Sequence, residues 1–434
     1  QHPEVNHVQV LWECDYKQQL QENEAMKTFV EDLDGETLSE PLNPRDAFYG
    51  GRTNATKLLY EAQGEETIRY ADVCSLYPFI CKYGRFPTHH PIIKDHPPVE
   101  ELPHLHGLIQ CKVLPPKQLY HPLLPLRANN KLLFPLCRTC AEEQSNTSCT
   151  HSDEERAWIG TYTTLEVQKA VEECGYQVLT IYEAWHFPLF SQYDPETMEG
   201  GLFTDYINNF FKIKQEASGY PKHCQDKEAY IQDIYNKEGV RLDPDRIVEN
   251  PGLRKLSKLM LNSFWGKFGQ REGFGKSEYI EDPCTFFALI HDERNTIKDI
   301  LIINDNLLFV QYEPKVDFHR THPSSNVVIA AWVTAQARLK LYEYLKPLDR
   351  RVLYFDTDSV IYVHHPELWN PPLGDTLGDL TDELDGNTIQ TFVSAGPKNY
   401  AYQLVKKDQE ANEDQPMEDQ ENNEIGRASC RERV

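Results

Sequence analysis

Apolar positions along the chain change their period several times, and each change marks an element. Val352 to Val363, V-L-Y-F-D-T-D-S-V-I-Y-V, is apolar and β-branched from both ends toward the middle, which predicts two buried strands of a hairpin around a D-T-D turn. Ile68 to Asp72 reads as another strand that runs into the turn and short helix S-L-Y-P-F-I-C-K-Y. Leu202, Tyr206, Ile207, Phe210, Phe211 and Ile213 recur at helical spacing and predict an amphipathic helix from Leu202 to Ala217. Asn250 and Pro251 supply a cap and a first helical residue for a helix expected to reach about Phe268. Val327 to Leu345 predicts a further helix that leads into the hairpin. Thr163 and Glu166 are spaced as a capping box for a helix that Gly175 would end, and the strand-like Y-Q-V-L-T-I-Y follows. Near the start, Val8 to Trp12 reads as a strand, followed by a polar helix-like run to about Lys27 and a charged linker. Pro41 to Arg52 is a loop closed by a Gly pair, and no internal repeat is visible.

With 434 residues the chain can build two or three domains with a substantial core. Its net charge of -24 argues at first against a polyanionic partner. Much of the acid, however, lies in Glu22 to Glu40 and Asp408 to Glu424, whereas Pro251 to Arg271 carries Arg254, Lys255, Lys258, Lys267 and Arg271 without one carboxylate. Local charge is the better guide. The cysteines are scattered, most inside apolar strings, which suits a reduced intracellular protein. No run is long and apolar enough for a bilayer and no leader pattern opens the chain, so the expectation is a soluble protein without a membrane partner, its nuclear, organellar or viral compartment left open. Lys406 to Asn423, acidic and rich in Asn and Gln, is expected to be flexible. The chain opens on Gln1 rather than Met, and Glu424 to Val434 back-translates to a string similar to a sequencing-library adapter, so neither end is expected to be natural.

Two carboxylates between buried strands need a reason. Asp356 and Asp358 flank one residue of the hairpin turn, and Asp72 stands where its strand ends. On neighbouring strands of one sheet these side chains would converge and could hold two divalent cations for phosphoryl chemistry. Magnesium takes oxygen ligands and keeps water and phosphate in its shell, so two Asp and a backbone carbonyl suffice. A lone D-T-D reads more readily as an exposed turn, and the apolar strands on both sides shift that balance. Arg254, Lys258, Asn262 and Trp265 share one helix face, a basic stripe beside an aromatic that suits a triphosphate and a stacked base. A lone basic stripe is more often a solvated face, yet L-M-L-N-S-F-W-G-K-F is too apolar for a free surface helix. Cys137 and Cys140, followed by Cys149 and His151, form the ligand set of a tetrahedral zinc knuckle, and unligated thiols in a reduced protein fit the same residues equally well.

D-V-C-S-L-Y-P (Asp72 to Pro78), K-L-M-L-N-S-F-W-G (Lys258 to Gly266), Y-F-D-T-D-S (Tyr354 to Ser359) and P-K-N-Y (Pro397 to Tyr400) resemble the four ordered polymerase motifs of family B DNA polymerases. More narrowly they resemble the protein-primed branch of phages, adenoviruses, linear plasmids and virus-like transposons. Y-G-G-R at Tyr49 to Arg52 resembles that branch's connector, which lies between exonuclease and polymerase parts and touches template. The resemblance covers roughly Pro41 to Tyr400. It implies an α+β fold: a right-hand palm of antiparallel sheet and helices, helical fingers and a mixed α/β insertion, with exonuclease and thumb missing. The implied activity is template-directed DNA synthesis, in which a primer or terminal-protein hydroxyl attacks the α-phosphate of a dNTP with two Mg²⁺, or Mn²⁺ in their place. Its partners would be template-primer DNA, dNTPs and a terminal protein.

Carried over position by position, the resemblance makes Asp72 and Asp358 the principal metal ligands, Asp356 a supporting carboxylate and the Val73 carbonyl a further ligand. Tyr77 falls where the family has its steric gate against a 2′-OH. The N–H groups of Ser75, Leu76 and Tyr77 would face the triphosphate, with Lys258 and Arg254 pairing its oxygens. Asn262 and Gly266 would line the nascent base pair beside Trp265. Tyr49, Gly50, Gly51, Arg52 and Ser263 would lie on DNA; Lys398 and Tyr400 would hold the primer terminus, and Thr357 and Ser359 would support the turn. Trp265 departs from the Tyr of the usual N-S-x-Y-G pattern: its indole can stack but lacks the phenol, so altered nucleotide selectivity and fidelity are expected.

The resulting map is 1–40, tail of a preceding domain; 41–85, connector and first part of the palm; 86–249, an insertion that contacts the terminal protein and carries the knuckle with its structural zinc. Then come 250–275, the fingers helix; 276–405, the rest of the palm; 406–423, the acidic segment; and 424–434, the adapter-like end. An inactive mobile-element relic that binds nucleic acid or a partner protein is the alternative, and a nuclease using the same two metals is a third reading that leaves Lys258 and Tyr77 unexplained.

Overall fold

The computed structural model describes residues 12–32, 41–221, 224–271, 273, 275–315, 325–405 and 425–427. The chain falls into two units, Gln1–Leu42 and Asn43–Val434. In the first, Trp12 precedes a helix over Glu13–Glu22, and Glu24–Asp32 forms a second. The strand expected over Val8 to Trp12 and the linker beyond Asp32 lie outside the described residues, as does the acidic 406–423 stretch.

The second unit is built on a nine-stranded sheet. Six of its strands position the site: β1 (Thr53–Ala55), β2 (Thr67–Val73), β3 (Val352–Asp356), β4 (Ser359–His364), β5 (Thr388–Gly396) and β6 (Asn399–Val405). They lie in the order β1, β3, β4, β2, β5, β6, each antiparallel to its neighbour. Ile425–Arg427, the described piece of the adapter-like end, pairs with β6. Strands β3 and β4 are the expected hairpin, and Val352 to Phe355 and Ser359 to Val363 are all buried, as an unbroken β-branched and aromatic run requires. One side of the sheet closes a core of Ile68, Leu353, Tyr354, Ile361, Leu384, Ile389 and Phe392.

Four helices bear on the site: α1 (Leu76–Tyr83), α2 (Thr204–Glu216), α3 (Pro251–Ser263) and α4 (Val327–Leu348). Asn326 caps α4 by accepting the Ile329 N–H at 3.1 Å, and α4 is buried along most of its length. Asn250 caps α3 in the same way, accepting from Leu253 at 3.0 Å, with Pro251 in the first turn as expected. The α-helix ends at Ser263, and Trp265–Lys267 continues as a 3₁₀ turn. α3 packs on α2 through buried Ser257 and Leu261, and the Tyr206 and Phe264 rings stack at 4.0 Å. Leu253, Leu256 and Leu259 are 42%, 55% and 59% exposed; of these Leu259 belongs to the apolar string expected to be buried, and it corrects that expectation in part, since Leu261 of the same string is buried.

Between α1 and α2, Ile92–Asp95, Gln177–His186, Gly107–Leu114 and Trp158–Thr163 form a second antiparallel sheet in that spatial order, packed on a helix over Thr164–Cys174. Gly175 ends this helix in the left-handed conformation, φ 74°, as expected. The capping box at its start is not made. Glu166 is drawn instead into a buried bidentate pair with Arg338 of α4, N–O 2.9 Å on each side, and Thr163 only donates its hydroxyl to that carboxylate. An N3 glutamate this deep is held by a full charge rather than by a backbone N–H. From Thr204 the chain is helical and belongs with α3, and Lys227–Glu238 adds a helix between the two. A small sheet of Lys276–Ile280, Leu307–Pro314 and Asn295–Asn304 has its own core around Ile280, Val310 and Tyr312. No helix among the described residues is long and apolar enough to cross a membrane.

Candidate active site

Strand register brings the acidic residues of distant segments to one rung. Thr53 of β1 stands opposite Asp356 of β3, Asp356 opposite Ser359 of β4, and Ser359 opposite Asp72 of β2. Val73 N–H donates to the Asp358 carbonyl at 2.6 Å, which locks the end of β2 to the hairpin turn. Thr357 holds φ 58° at the tip, and its N–H donates to the Arg52 carbonyl at 2.8 Å. Asp72, Asp356 and Asp358 are all half-buried at this edge. Asp356 is heavily engaged: Thr53 donates to Oδ1 at 2.6 Å, Thr357 donates at 3.1 Å, and Lys398 Nζ pairs with both oxygens at 3.0 and 3.1 Å. Such compensation removes much of the repulsion between neighbouring carboxylates. Behind the rung, the Thr381 hydroxyl donates to the Asp72 carbonyl at 3.0 Å, and Ser359 donates to the Asp356 carbonyl at 3.3 Å.

The turn after Asp72 is equally determined. Cys74 N–H donates to Asp379 O at 2.7 Å and Gly378 N–H donates to Cys74 O at 2.9 Å. Ser75 takes a left-handed conformation, φ 51°, just before α1. This places Tyr77 on the first turn of α1, where its ring stacks on Trp265 at 4.4 Å between centroids and 23° between planes. Phe48 meets Trp265 edge-on at 6.4 Å. Lys214 of α2 lies among Lys258, Arg254 and Cys74: burial lowers its ammonium pKa, and the Lys258 and Arg254 charges lower it further. Arg254 also donates to Ser218 Oγ at 3.1 Å. Three cations on two helices thus act on one another near Lys214, and a polyanion between them would relieve their repulsion. Lys258, Asn262, Ser263 and Gly266 are exposed along the same helix end.

Tyr49 to Arg52 touches this edge directly. A Cβ on Gly51 would come within 2.5 Å of the Thr357 hydroxyl, so only glycine permits the approach. Arg52 is buried, its guanidinium over the Phe134 ring at 4.4 Å, and desolvation lowers its pKa to about 10. Tyr49 stacks on Tyr162 at 5.8 Å, and the Tyr49 and Gly50 carbonyls both accept from Arg338 at 2.9 Å. Lys398 N–H donates to Tyr354 OH at 2.9 Å, and Tyr400 packs on Tyr354 at 4.6 Å while bonding the Tyr70 hydroxyl at 3.1 Å. Burial pushes the Tyr354 and Tyr70 phenols up, so both stay protonated.

Away from this edge, Cys137, Cys140, Cys149 and His151 bring one ligand atom each to within 4.8 Å of one another. Their sulfurs lie 3.5, 3.3 and 3.6 Å from His151 Nδ1. A hydrogen bond from the His151 backbone brings the Cys149 thiol down to about 7.

Every site residue expected from the sequence lies among the described residues. Two that the motifs did not single out join them: Lys214, which reads as part of the polar face of an amphipathic helix, and Thr53, whose only signal is its place after Y-G-G-R.

A family model described as DNA polymerase type B, organellar and viral, matches residues 43–227. A "Probable DNA polymerase" of Neurospora intermedia is 24% identical over 365 residues, covering 80% of this chain and 30% of that protein. A "DNA polymerase" of Kluyveromyces lactis is 23% identical over 379 residues, covering 82% and 30%. The chain therefore spans under a third of the length of these relatives. Among solved structures, Phi29 DNA polymerase complexed with single-stranded DNA superposes with a TM-score of 0.52 at 18% identity over 96% of this chain and 59% of that one. The same polymerase complexed with primer-template DNA and incoming nucleotide substrates gives 0.50 at 17% identity, over 90% and 55%. These likenesses establish a common fold, with part of the larger chains unmatched here.

Proposed function

We propose that this chain is part of an organellar and viral type B DNA polymerase, carrying the palm and fingers of an enzyme that extends a primer or a terminal-protein hydroxyl with dNTPs on a DNA template. The observation that carries this reading is the rung that aligns Asp72 with the Asp356–Asp358 turn, opposite a fingers surface bearing Lys214, Arg254 and Lys258. Divalent-metal dependence follows from the family in general.

The donor set at the rung is all oxygen, which fits magnesium, with manganese able to replace it. Asp72, Asp358 and the Val73 carbonyl would hold two such ions, which supply Lewis acidity to the attacking hydroxyl and charge neutralisation to the departing pyrophosphate. Asp356 serves them indirectly, fixing Lys398 and the turn through its hydrogen bonds. Lys214, Arg254 and Lys258 take the triphosphate oxygens, and the Ser75 to Tyr77 N–H groups orient them. Tyr77, propped by Trp265, closes the space beneath the sugar and selects against a 2′-OH. Asn262, Gly266 and Trp265 line the base pair. Lys398 and Tyr400 hold the primer strand, while Ser263 and the Gly50–Gly51 backbone follow the template and the buried Tyr49 and Arg52 fix that turn in place. The sheet of the 86–249 segment is the surface offered to a terminal protein, and Cys137, Cys140, Cys149 and His151 take a structural zinc ion. Nothing in the assembled rung favours the inactive-relic reading.

Primer extension by a full-length protein containing this segment tests the proposal. Template-dependent incorporation of dNTPs in preference to NTPs is expected. An intact full-length protein that incorporates nothing on primed template would overturn it, and equal use of NTPs would remove Tyr77 as the gate.

A further inference from the structure

We propose that the metal of the Cys137–His151 cluster is a brace for the active site, fixing the Tyr49–Arg52 connector from outside; this rests on the zinc reading of that cluster. The separations from the three sulfurs to His151 fit one tetrahedral ion. A tetrahedron with Zn–S of about 2.3 Å and Zn–N of about 2.0 Å puts sulfur and nitrogen about 3.5 Å apart. The observed separations are 3.5, 3.3 and 3.6 Å, all to the same nitrogen. Cys140 N–H also donates to Cys137 Sγ at 3.4 Å, which turns both sulfurs of the C-x-x-C to one side. His151 is set by the residue after it: Ser152 and Glu155 form a reciprocal capping box. All ten described cysteines are free thiols, so no disulfide competes for these sulfurs.

From the cluster a short chain of contacts leads to the catalytic turn. Cys137 opens a helix over Arg138–Glu143, and the last carbonyls of that helix, Ala141 and Glu142, accept from the Asn129 amide at 3.3 and 2.7 Å. Asn129 and Asn130, both at positive φ, form the turn of a hairpin whose strands are Leu126–Ala128 and Lys131–Leu133. From the same hairpin Arg127 donates to the Asp46 and Phe48 carbonyls at 2.9 and 2.6 Å and lies over the Tyr49 ring at 4.2 Å. Phe134, three residues before Cys137, carries the Arg52 guanidinium. The connector held in this way is the one whose Arg52 carbonyl accepts from Thr357 and whose Thr53 hydroxyl binds Asp356. Cys137 and Ala141 seat one side of the helix in the core, whereas the 144–151 loop contributes no residue to a hydrophobic core, so coordination is what would tie that loop to the helix and stiffen the end that Asn129 grips.

The test uses the full 434-residue chain, with zinc measured by plasma mass spectrometry and backbone exchange followed at the Phe48 and Thr357 amides. About one zinc per chain is expected, lost in Cys149→Ser and retained in His151→Cys, which keeps a tetrahedral ligand set. Exchange at Phe48 and Thr357 should rise about tenfold in Cys149→Ser and stay unchanged in His151→Cys. Asn129→Ala cuts the link without touching a ligand, so it should keep its zinc and still show the faster exchange. Wild-type chain without zinc overturns the metal reading and the brace with it. Zinc-loaded wild type, with connector exchange unmoved in both Cys149→Ser and Asn129→Ala, overturns the brace alone.

Discussion

The palm edge and the cysteine cluster both gather metal-ligating side chains about one point, and they are built by opposite means. Asp356 and Asp358 are carried by strands whose Val352, Leu353, Val360 and Ile361 are all fully buried, so the frame exists before any ion arrives. Cys140, Cys149 and His151 sit on a partly exposed, polar stretch with almost no buried apolar contact of its own. On the proposed reading, burial supplies the rigidity in the first case and a cation would offset repulsion; in the second a cation would supply the rigidity. Metal loss should therefore silence the palm edge without unfolding it, and should loosen the cluster.

The largest effect that sharpens this contrast is Asp358→Asn. Losing a Lewis-acid ion worth several kcal/mol corresponds to about 10³-fold or more in extension rate, with the melting temperature unchanged. Asp356→Asn should be milder in rate, yet should free Lys398 and lower primer affinity; steady-state kinetics with primer titration separates the two. Next comes the frame itself: Leu353→Ala removes a fully buried side chain and should cost about 2–5 kcal/mol of stability, read by denaturant unfolding, where chelation of zinc should leave the same transition in place.

Acid offers a subtler way to weaken the frame. His121 is buried beside Phe355 and its ring bonds the Asp349 carbonyl at 2.9 Å; desolvation lowers its pKa from 6.5 to about 4. The unfolded chain takes up that proton first, so its contribution is intact above pH 6.5 and stability falls as pH drops toward 4. His121→Gln should flatten that part of the pH–stability curve. The smallest effect is expected at the fingers. Lys214→Ala should raise the dNTP KM about tenfold, as for one hydrogen bond to a charged group, with little change in kcat; an unchanged KM would remove Lys214 from the triphosphate site.

The contrast also explains how much is legible in the chain alone. The hairpin is legible because an unbroken β-branched run around two carboxylates has few other readings, and the order of four motifs locates the rest of the edge. The cysteine cluster is legible by spacing but not by burial. Lys214 is hidden because a lysine on an amphipathic helix carries no mark of what faces it across the fold. The expected capping box fails for a related reason: Glu166 finds Arg338, 172 residues away, and a buried charge outweighs a local cap. Leu259 misleads in the other direction, since it opens an apolar string that suggests burial and itself stands 59% exposed.

The central claim is that Asp72 and Asp358 hold the catalytic cations. Manganese binding, followed by electron paramagnetic resonance on the full-length enzyme with primed template and a non-reacting dNTP analogue, tests it directly. Two bound ions are expected for the wild type, with loss of at least one in Asp72→Asn and in Asp358→Asn and retention of both in Asp356→Asn. Full manganese occupancy in Asp358→Asn would contradict the account.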